Sequence, residues 1–534
     1  MPMLDGGPYV WSDWLGEQDA HTNYFRPQSV GQLIEFLELF PDVRKLHIRA
    51  AGSGGSTSDV ARPWRIAGND AKRAGIVVHM EDVGLEWKDE AKSWWRADFP
   101  AVFPGEILHR ARAGMTYNQL SAELAGLTPK KAMPNLGSYD RQTLIGGAAT
   151  GTHGTGMTTG PLADLIVSME MIAILRDPGT NQPVVKHVRV EPHDGPTDHG
   201  AFEAARAGGK HDMELIADDD AFYSAVVGLG YFGIVTALTL RVRSAFWLEE
   251  KKTRMSWPAL SAQLPTRADQ DFFDFLIAPR PSTRGGGGLL YRCLATERTA
   301  LPSQGAGAPR DDPRTAELQR KMKVLKKDRV SLTYYLAELA SANPRFAAKQ
   351  VLDVFEKEEK LTQLSASDHI FRTSIGKYVL ATSAEVFVPF DKAVPAVETL
   401  IEHLDAQRKK GRNHTSPIGV RFSQASKHYL AMQYGRKTCT LEAPLLLGTR
   451  VDGKPETKSI SDQIIGEMLY ELEVRMKKNV GLDARMHHGQ RNWSTRADLE
   501  RYPKFQAWWT QYQRFNAFGI FSNAASARWG LDPA

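Results

Sequence analysis

The sequence predicts an α+β fold built from two or three domains. Three observations carry that expectation. Its 534 residues exceed what one hydrophobic core ordinarily holds. Strand-like and helix-like runs are interspersed along both halves. Glycine is concentrated in two short segments of the first half, where turns and close backbone approach are required.

Along the chain, residues 27–40 place Val30, Leu33, Ile34, Leu37 and Leu39 near helical spacing. Residues 45–50 form a strand candidate that runs into the turn Gly52-Ser53-Gly54-Gly55-Ser56. Strand-like runs follow at 75–81 and within 101–113, and then a helix at 117–125. Residues 137–160 are so dense in glycine that no regular helix or strand is expected there. Strands are expected at 165–175 and 233–242, with a hairpin excursion across the polar stretch 177–219. Composition shifts near Arg243. Gly285, Gly286, Gly287 and Gly288 are consecutive, and 303–314 reads as a mobile proline- and glycine-rich loop. Further on, strands at 384–388 and 418–422 and helices at 394–404 and 460–478 indicate an α+β second half.

The bulk composition narrows the function classes. Hydrophobic content of 42% and charged content of 24% are ordinary for a globular chain. No apolar run reaches the roughly 18 residues a spanning helix needs. Residues 1–14 lack the basic start and apolar stretch of a secretory signal, so the expected location is the cytoplasm. The formal net charge is only +5, without the aromatic-studded basic stripe of a nucleic-acid binder. The basic run at 320–329 reads as a solvated helix face. Cys293 and Cys439 are the only cysteines, which leaves no disulfide framework, and no metal site is expected.

Two motifs carry chemistry. Arg49-Ala-Ala-Gly-Ser-Gly-Gly-Ser-Thr-Ser-Asp59 follows a strand, and its small residues let main-chain N–H groups form an anion nest. Its spacing fits neither the dinucleotide fingerprint nor a P-loop. Leu136-Gly-Ser-Tyr-Asp-Arg-Gln-Thr-Leu-Ile-Gly-Gly-Ala-Ala-Thr-Gly-Thr-His-Gly-Thr-Gly156 would let backbone lie against a flat ring, with hydroxyls at its polar edge. Together the segments resemble the FAD domain of the vanillyl-alcohol oxidase superfamily, the PCMH-type fold. They are most similar to its alditol and aldonolactone oxidase branch, which includes D-arabinono-1,4-lactone and L-gulonolactone oxidases. The resemblance continues through Gly160-Pro-Leu-Ala-Asp164, Gly228-Leu-Gly-Tyr-Phe-Gly-Ile-Val-Thr236 and Phe521-Ser-Asn523.

That resemblance implies a two-subdomain FAD-binding domain over 1–245 and a substrate (cap) domain with a large antiparallel sheet over 246–480. A C-terminal segment, 481–534, would return to the FAD domain. It implies that Gly52, Ser53, Gly54, Gly55 and Ser56 hold the pyrophosphate and that Ser138 lies near the reactive flavin nitrogen. Gly146, Gly147, Thr150, Gly151, His153, Gly154 and Gly156 would line the flavin, and Gly233, Ile234 and Val235 complete the pocket. His153 also reads as a loop-packing histidine.

The departures from the family pattern are informative. Gly55 stands where many relatives carry the histidine that bonds to flavin, and no cysteine lies near either loop, so FAD is expected to be non-covalent. On the substrate side, relatives read Glu-x-Arg and His-Trp-Gly-Lys; the corresponding stretches here are Pro417-Ile-Gly-Val-Arg-Phe422 and Arg485-Met-His-His-Gly-Gln490. Arg421 is kept, Gly419 replaces the glutamate and leaves room for bulk, and His488 and Gln490 replace tryptophan and lysine.

Oxidation of an alcohol needs a base for the hydroxyl proton. An imidazole titrates in the right range, which makes His487 or His488 the candidate base. Arg421 reads either as a free cation suited to a carboxylate or as a structural arginine paired with Glu385 or Glu442. Two enzymatic readings follow. One is oxidation of a CH–OH small molecule, with electrons passing to oxygen or another acceptor. The other is a natural-product tailoring step, such as oxidative decarboxylation of a hydroxy acid anchored by Arg421. A flavin-free binding module is the non-enzymatic alternative.

Overall fold

A computed structural model describes residues 9–12, 19–40, 42–62, 74–84, 93–283, 288–302, 332–357, 361–372, 379–451, 454–458 and 462–531. The loop expected at 303–314, the basic run at 320–329 and Gly285, Gly286 and Gly287 lie outside the described residues.

Three sheets organise the described chain. The first is four-stranded and contains β1 (Tyr9–Ser12), β2 (Asp19–Phe25), β3 (Leu46–Ala51) and β4 (Ala74–His79) in the order β1-β2-β4-β3. Its β2, β4 and β3 run parallel. Helix α1 (Val30–Glu38) covers it. Ser29 caps the helix by accepting from the Gln32 N–H, and Val30, Leu33, Phe36 and Leu37 form the buried stripe. Leu39, past the helix end, is exposed.

The second sheet contains β5 (Ile107–Arg112), β6 (Lys131–Ala132), β7 (Ile166–Arg176), β8 (Pro183–Glu191), β9 (Glu214–Ala217) and β10 (Ile234–Ser244). The order is β5-β10-β7-β8-β9, with β6 on the edge of β10. Helix α2 (Tyr117–Ala125) begins with a capping box of Thr116 and Gln119. The stretch 177–219 holds more than the expected hairpin. After β8 returns along β7, the chain forms helix His199–Ala207, and β9 then runs parallel to β8.

The third sheet is the largest: β11 (Phe246–Ser256), β12 (Asp274–Ile277), β13 (Arg292–Pro302), β14 (Leu361–Ala366), β15 (Val379–Pro389), β16 (Ile418–Ser423), β17 (Thr438–Val451), β18 (Lys454–Lys458) and β19 (Arg485–Met486). All its described pairings are antiparallel, with β12-β16-β17-β15-β19 at the side that carries the site. Helices Ala393–Lys409 and Asp462–Lys478 cover one face through Ala396, Leu400, Met468 and Leu472, which pack on Phe422, Leu441 and Val386. The C-terminal residues leave this sheet. Ile520 accepts from the Ile48 N–H at 2.8 Å, and Trp508 and Trp529 are buried in the core of the second sheet.

The glycine-rich segment departs from expectation. Residues Leu144–Thr150 form a short helix, α3, capped by the Thr143 hydroxyl, which accepts from the Gly146 N–H. Gly146 and Gly147 lie inside it because neighbours press closely: a Cβ on Gly147 would stand 2.9 Å from the Tyr117 ring, and one on Gly146 would stand 2.6 Å from Thr143 Oγ1. Gly151 ends the helix at φ 85°, a left-handed cap that favours glycine.

Crowding at the glycines differs enough to be measured. A Cβ on Gly154 would lie 2.4 Å from the Leu136 carbonyl oxygen, whereas one on Gly55 would meet nothing closer than 3.9 Å. Gly154→Ala is therefore expected to destabilise the protein by about 1–3 kcal/mol. Gly55→Ala should stay within about 0.5 kcal/mol of the parent. Chemical denaturation of the two variants checks the contrast.

Candidate functional site

The side-chain alternation of the third sheet builds a polar face opposite its helices. In β15, Ala384 and Val386 point into the helix-covered core and Glu385 points the other way. In β17, Leu441 and Ala443 flank Glu442 in the same manner, and in β16, Val420 and Phe422 flank Arg421. Register places Glu385 opposite Glu442, and Glu442 opposite Gly419. Two carboxylates directly opposite each other repel, so the arrangement needs cationic and donor neighbours.

Those neighbours are present. Arg421 Nη1 donates to Glu442 Oε2 at 2.7 Å and lies 3.6 Å from Glu385 Oε1. Gln490 Nε2 donates to Glu385 Oε2 at 3.1 Å and to Glu442 Oε1 at 3.4 Å. His153 Nδ1 lies 2.8 Å from the Gly154 carbonyl and must donate to it; its Nε2 lies 3.1 Å from Glu385 Oε1. Arg421 Nη2 reaches Ser138 Oγ at 3.5 Å.

Arg421 is thus not a free cation. A Cβ at Gly419 would lie 3.6 Å from the Arg421 guanidinium, an ordinary contact distance, so Arg421 bounds the space that the glycine leaves. Burial acts to lower the Arg421 pKa, but Glu442 and Glu385 outweigh it and raise the value. For Glu442, burial acts upward, and the charge and hydrogen bond of Arg421 hold it below the usual carboxylate range.

The two histidines of the candidate base diverge. His488 points away from the polar face: its Nε2 bonds the Leu430 carbonyl at 2.8 Å, and its ring packs near Tyr502 and Trp529. His487 stays at the site, with Nε2 3.9 Å from Glu385 Oε2. The Gly489 N–H donates to His487 Nδ1 at 3.0 Å. Its lone pair is used there, so the neutral ring carries its hydrogen on Nε2 and offers no free acceptor. Burial is the main cause that pushes both histidines down to about 4. At His487 the Glu385 charge opposes that effect, and at His488 the Leu430 carbonyl does.

The polar cluster closes one end of a cavity with about 1480 Å³ of space between protein atoms, part of it open to solvent. The first glycine segment lines it through Gly52, Ser53, Gly54, Gly55 and Ser56. The second contributes Ser138, Gly146, Thr150 and His153, and the third contributes Gly233 and Val235. Arg421, His487 and Gln490 reach the same wall.

The remaining expected residues serve as support. Gly147 backs onto Tyr117, Gly151 onto Met432, and Gly154 onto Asn135 and Leu136. The Gly156 N–H donates to the Phe422 carbonyl at 2.8 Å, and Ile234 is buried in the core of the first sheet. Ser56 Oγ donates to the Gly489 carbonyl at 2.8 Å, and Ser58 Oγ donates to that of His488 at 2.6 Å. These bonds tie the first loop to the 487–490 segment.

The wall suits a large planar cofactor with a polar edge. Gln142 Oε1, Thr152 Oγ1 and Gln490 Oε1 are buried there without a hydrogen-bond partner in the protein, and such groups are costly unless a ligand or water satisfies them. Gly52 approaches so closely that a Cβ would come within 2.4 Å of Thr143 Oγ1, which brings the two glycine segments together. Among the described residues, no group of three or more histidine, cysteine or acidic side chains could hold a metal ion. No helix there is long and apolar enough to cross a membrane. Glu385 and Glu442 were considered from sequence only as partners for Arg421. Their signal was a lone acid within each otherwise apolar strand run.

The chain belongs to the D-arabinono-1,4-lactone oxidase family, whose model matches residues 238–529. It is therefore an FAD-dependent oxidoreductase. It is 23% identical over 529 residues to an L-gulono-1,4-lactone dehydrogenase of Mycobacterium tuberculosis, covering 97% of this chain and 98% of that one. It is 33% identical over 115 residues to an alditol oxidase of a Streptomyces species, covering 22% of this chain and 20% of that one. In fold it is similar to a cholesterol oxidase from Brevibacterium sterolicum, with a TM-score of 0.61 at 12% identity over 99% of both chains.

The buried histidines give stability a pH dependence of defined sign. The folded values of His487 and His488, about 4, lie below the ordinary 6.5, so the unfolded chain binds their protons first. Their contribution is complete above pH 6.5 and is lost as the pH falls toward 4. The unfolding temperature is expected to drop between pH 7 and 4.5, and His488→Gln should flatten that slope in calorimetry.

Proposed function

We propose that the protein oxidises a neutral, hydroxyl-bearing small molecule of the polyol or aldonolactone class at a CH–OH carbon. FAD is held without a covalent link, and the electrons pass on to oxygen or another acceptor. The observation that carries this reading is the charge balance of the polar cluster. Arg421 is paired with Glu442, and His153 Nε2 lies within hydrogen-bond distance of Glu385 Oε1. The cluster therefore offers donors and acceptors for hydroxyl groups without an unpaired cation to hold a carboxylate. Oxidative decarboxylation of a hydroxy acid anchored by Arg421 loses its anchor on the same observation. The names of the relatives, lactone oxidases and dehydrogenases and an alditol oxidase, favour the same substrate class.

When bound, FAD supplies the two-electron acceptor for the hydride that leaves carbon. The side chains would do the rest. Arg421 and Gln490 hold the substrate oxygens in register with the carboxylates, and the Gln490 Oε1, free of protein partners, accepts a hydroxyl hydrogen bond. Glu385 takes the hydroxyl proton. It is better placed than Glu442, whose carboxylate Arg421 stabilises, and better than His487, whose acceptor nitrogen is occupied. His153 holds Glu385 in position through Oε1 and leaves Oε2 toward Gln490.

Glu385→Gln is expected to lower kcat by about 10²–10⁴-fold, with FAD content unchanged by absorbance. Xylitol, sorbitol and aldonolactones should be turned over. Carbon dioxide released from a hydroxy acid, with no oxidation of these neutral compounds, would overturn the reading. Acid precipitation should release all the yellow flavin, because Gly55 has no side chain to bond it; colour retained in the pellet would contradict non-covalent binding.

A further inference from the structure

Arg49 lies at the end of the buried part of β3, three residues before Gly52, and its side chain turns inward, leaving the residue 5% exposed. Its guanidinium is caged by main-chain carbonyls. Nη1 donates to Gly230 at 2.9 Å and Phe521 at 3.2 Å; Nη2 donates to Val60 at 2.6 Å and Leu229 at 2.9 Å. The bond to Val60 closes the loop 50–59 onto the residue from which it starts. Leu229 and Gly230 both occupy the left-handed region, with φ of 56° and 75°, a conformation a leucine resists. The backbone is strained at the turn that provides two of the four acceptors.

The cage lacks a countercharge. Among the described residues, no carboxylate forms an ion pair with Arg49, and burial lowers its pKa against the smaller opposing effects of Tyr231 and Tyr512. Arg110 and Arg189, equally buried, share Glu170, and Arg421 on the same cavity wall has Glu442. Carbonyl dipoles orient a guanidinium without neutralising it, and an unpaired buried charge is costly. Arg49 Nε is buried without a protein partner as well. Arg49 is one of the residues that line the cavity beside the 52–56 loop, and two of the residues whose carbonyls hold its guanidinium, Leu229 and Gly230, line it too.

We propose that Arg49 is the countercharge of the FAD diphosphate, a cation caged at the base of the 52–56 loop that draws the dianion onto the loop's N–H groups. The proposal rests on the reading of that loop as the pyrophosphate cradle. Arg49 is a positioning residue: its Nη donors are committed to carbonyls, so it acts on the diphosphate through the potential it sets at the loop. The consequence is selectivity for a cofactor with a diphosphate over the bare isoalloxazine of riboflavin.

Equilibrium dialysis of the full chain against FAD, ADP and riboflavin tests this. Arg49→Met is expected to weaken FAD and ADP by about tenfold or more, the scale of losing a nearby buried countercharge. Riboflavin binding should change by less than about twofold, and Arg49→Lys should recover part of the FAD loss. Equal losses for FAD and riboflavin, or no loss for FAD, would overturn the proposal. Gly55→Leu separates it from its premise, because the added side chain fills open space in the loop. If that variant leaves FAD and ADP affinity intact, the loop is not the cradle and the premise fails. If Arg49→Met does not fold, the parent chain decides: ADP binding tenfold or more tighter than adenosine supports the charge role, and equal binding refutes it.

Discussion

The placement of the polar cluster depends on one seam, where residues 153–157 run along β16. The Gly156 N–H donates to the Phe422 carbonyl at 2.8 Å, and the Gly156 carbonyl accepts from the Gln424 N–H at 3.0 Å. Thr155 Oγ1 donates to the Phe273 carbonyl at 2.6 Å and accepts from the Phe422 N–H at 3.3 Å. These bonds satisfy backbone groups that would otherwise be buried without partners, and they fix where His153 stands. The bond from His153 to Glu385 follows from that position. Glycine at 154 and 156 is required because Asn135, the Leu136 carbonyl and Thr159 occupy the volume a Cβ would need.

Charge is handled differently at the two ends of the cavity. At one end, two carboxylates in register across β15 and β17 would repel, and Arg421, His153 and Gln490 offset the repulsion with short donor contacts. That end is closed electrostatically within the protein. At the other end both Nη atoms of Arg49 are hydrogen-bonded to main-chain carbonyls, and among the described residues no carboxylate forms an ion pair with it. Under the proposed function, a neutral substrate would match the first condition and an anionic cofactor segment the second, and the distribution of the arginines would orient the cavity.

Much of the fold was legible in the residues. The runs that became β4, β7 and β10 are rich in apolar, β-branched residues, and α1 showed its buried stripe in the spacing of Val30, Leu33 and Leu37. The helix α3 was not legible, since its glycines read as loop and only the Tyr117 and Thr143 contacts explain them. At the site, the glycine segments and Arg421, His487 and Gln490 were singled out from sequence, and the fold brings them to one cavity. His488 reads no differently from His487 as a letter; the turn after β19 sends the two rings to opposite sides. Glu385 and Glu442 are separated by dozens of residues, and their pairing depends on strand register, which a single sequence does not specify.

The 487–490 segment joins the two ends of the cavity. The Gly489 carbonyl accepts from Ser56 Oγ and from the Thr57 N–H at 2.9 Å, while the next residue, Gln490, bonds both carboxylates. Adjacent residues cannot move independently by more than their shared peptide allows. A displacement of the first glycine loop therefore shifts the Gln490 amide against Glu385 and Glu442. The loop is held at its base by Arg49, whose bonds reach Leu229, Gly230 and Phe521. The charge cage, the glycine loop and the polar cluster thus form one connected body, and whatever settles the loop also sets the geometry of the carboxylates.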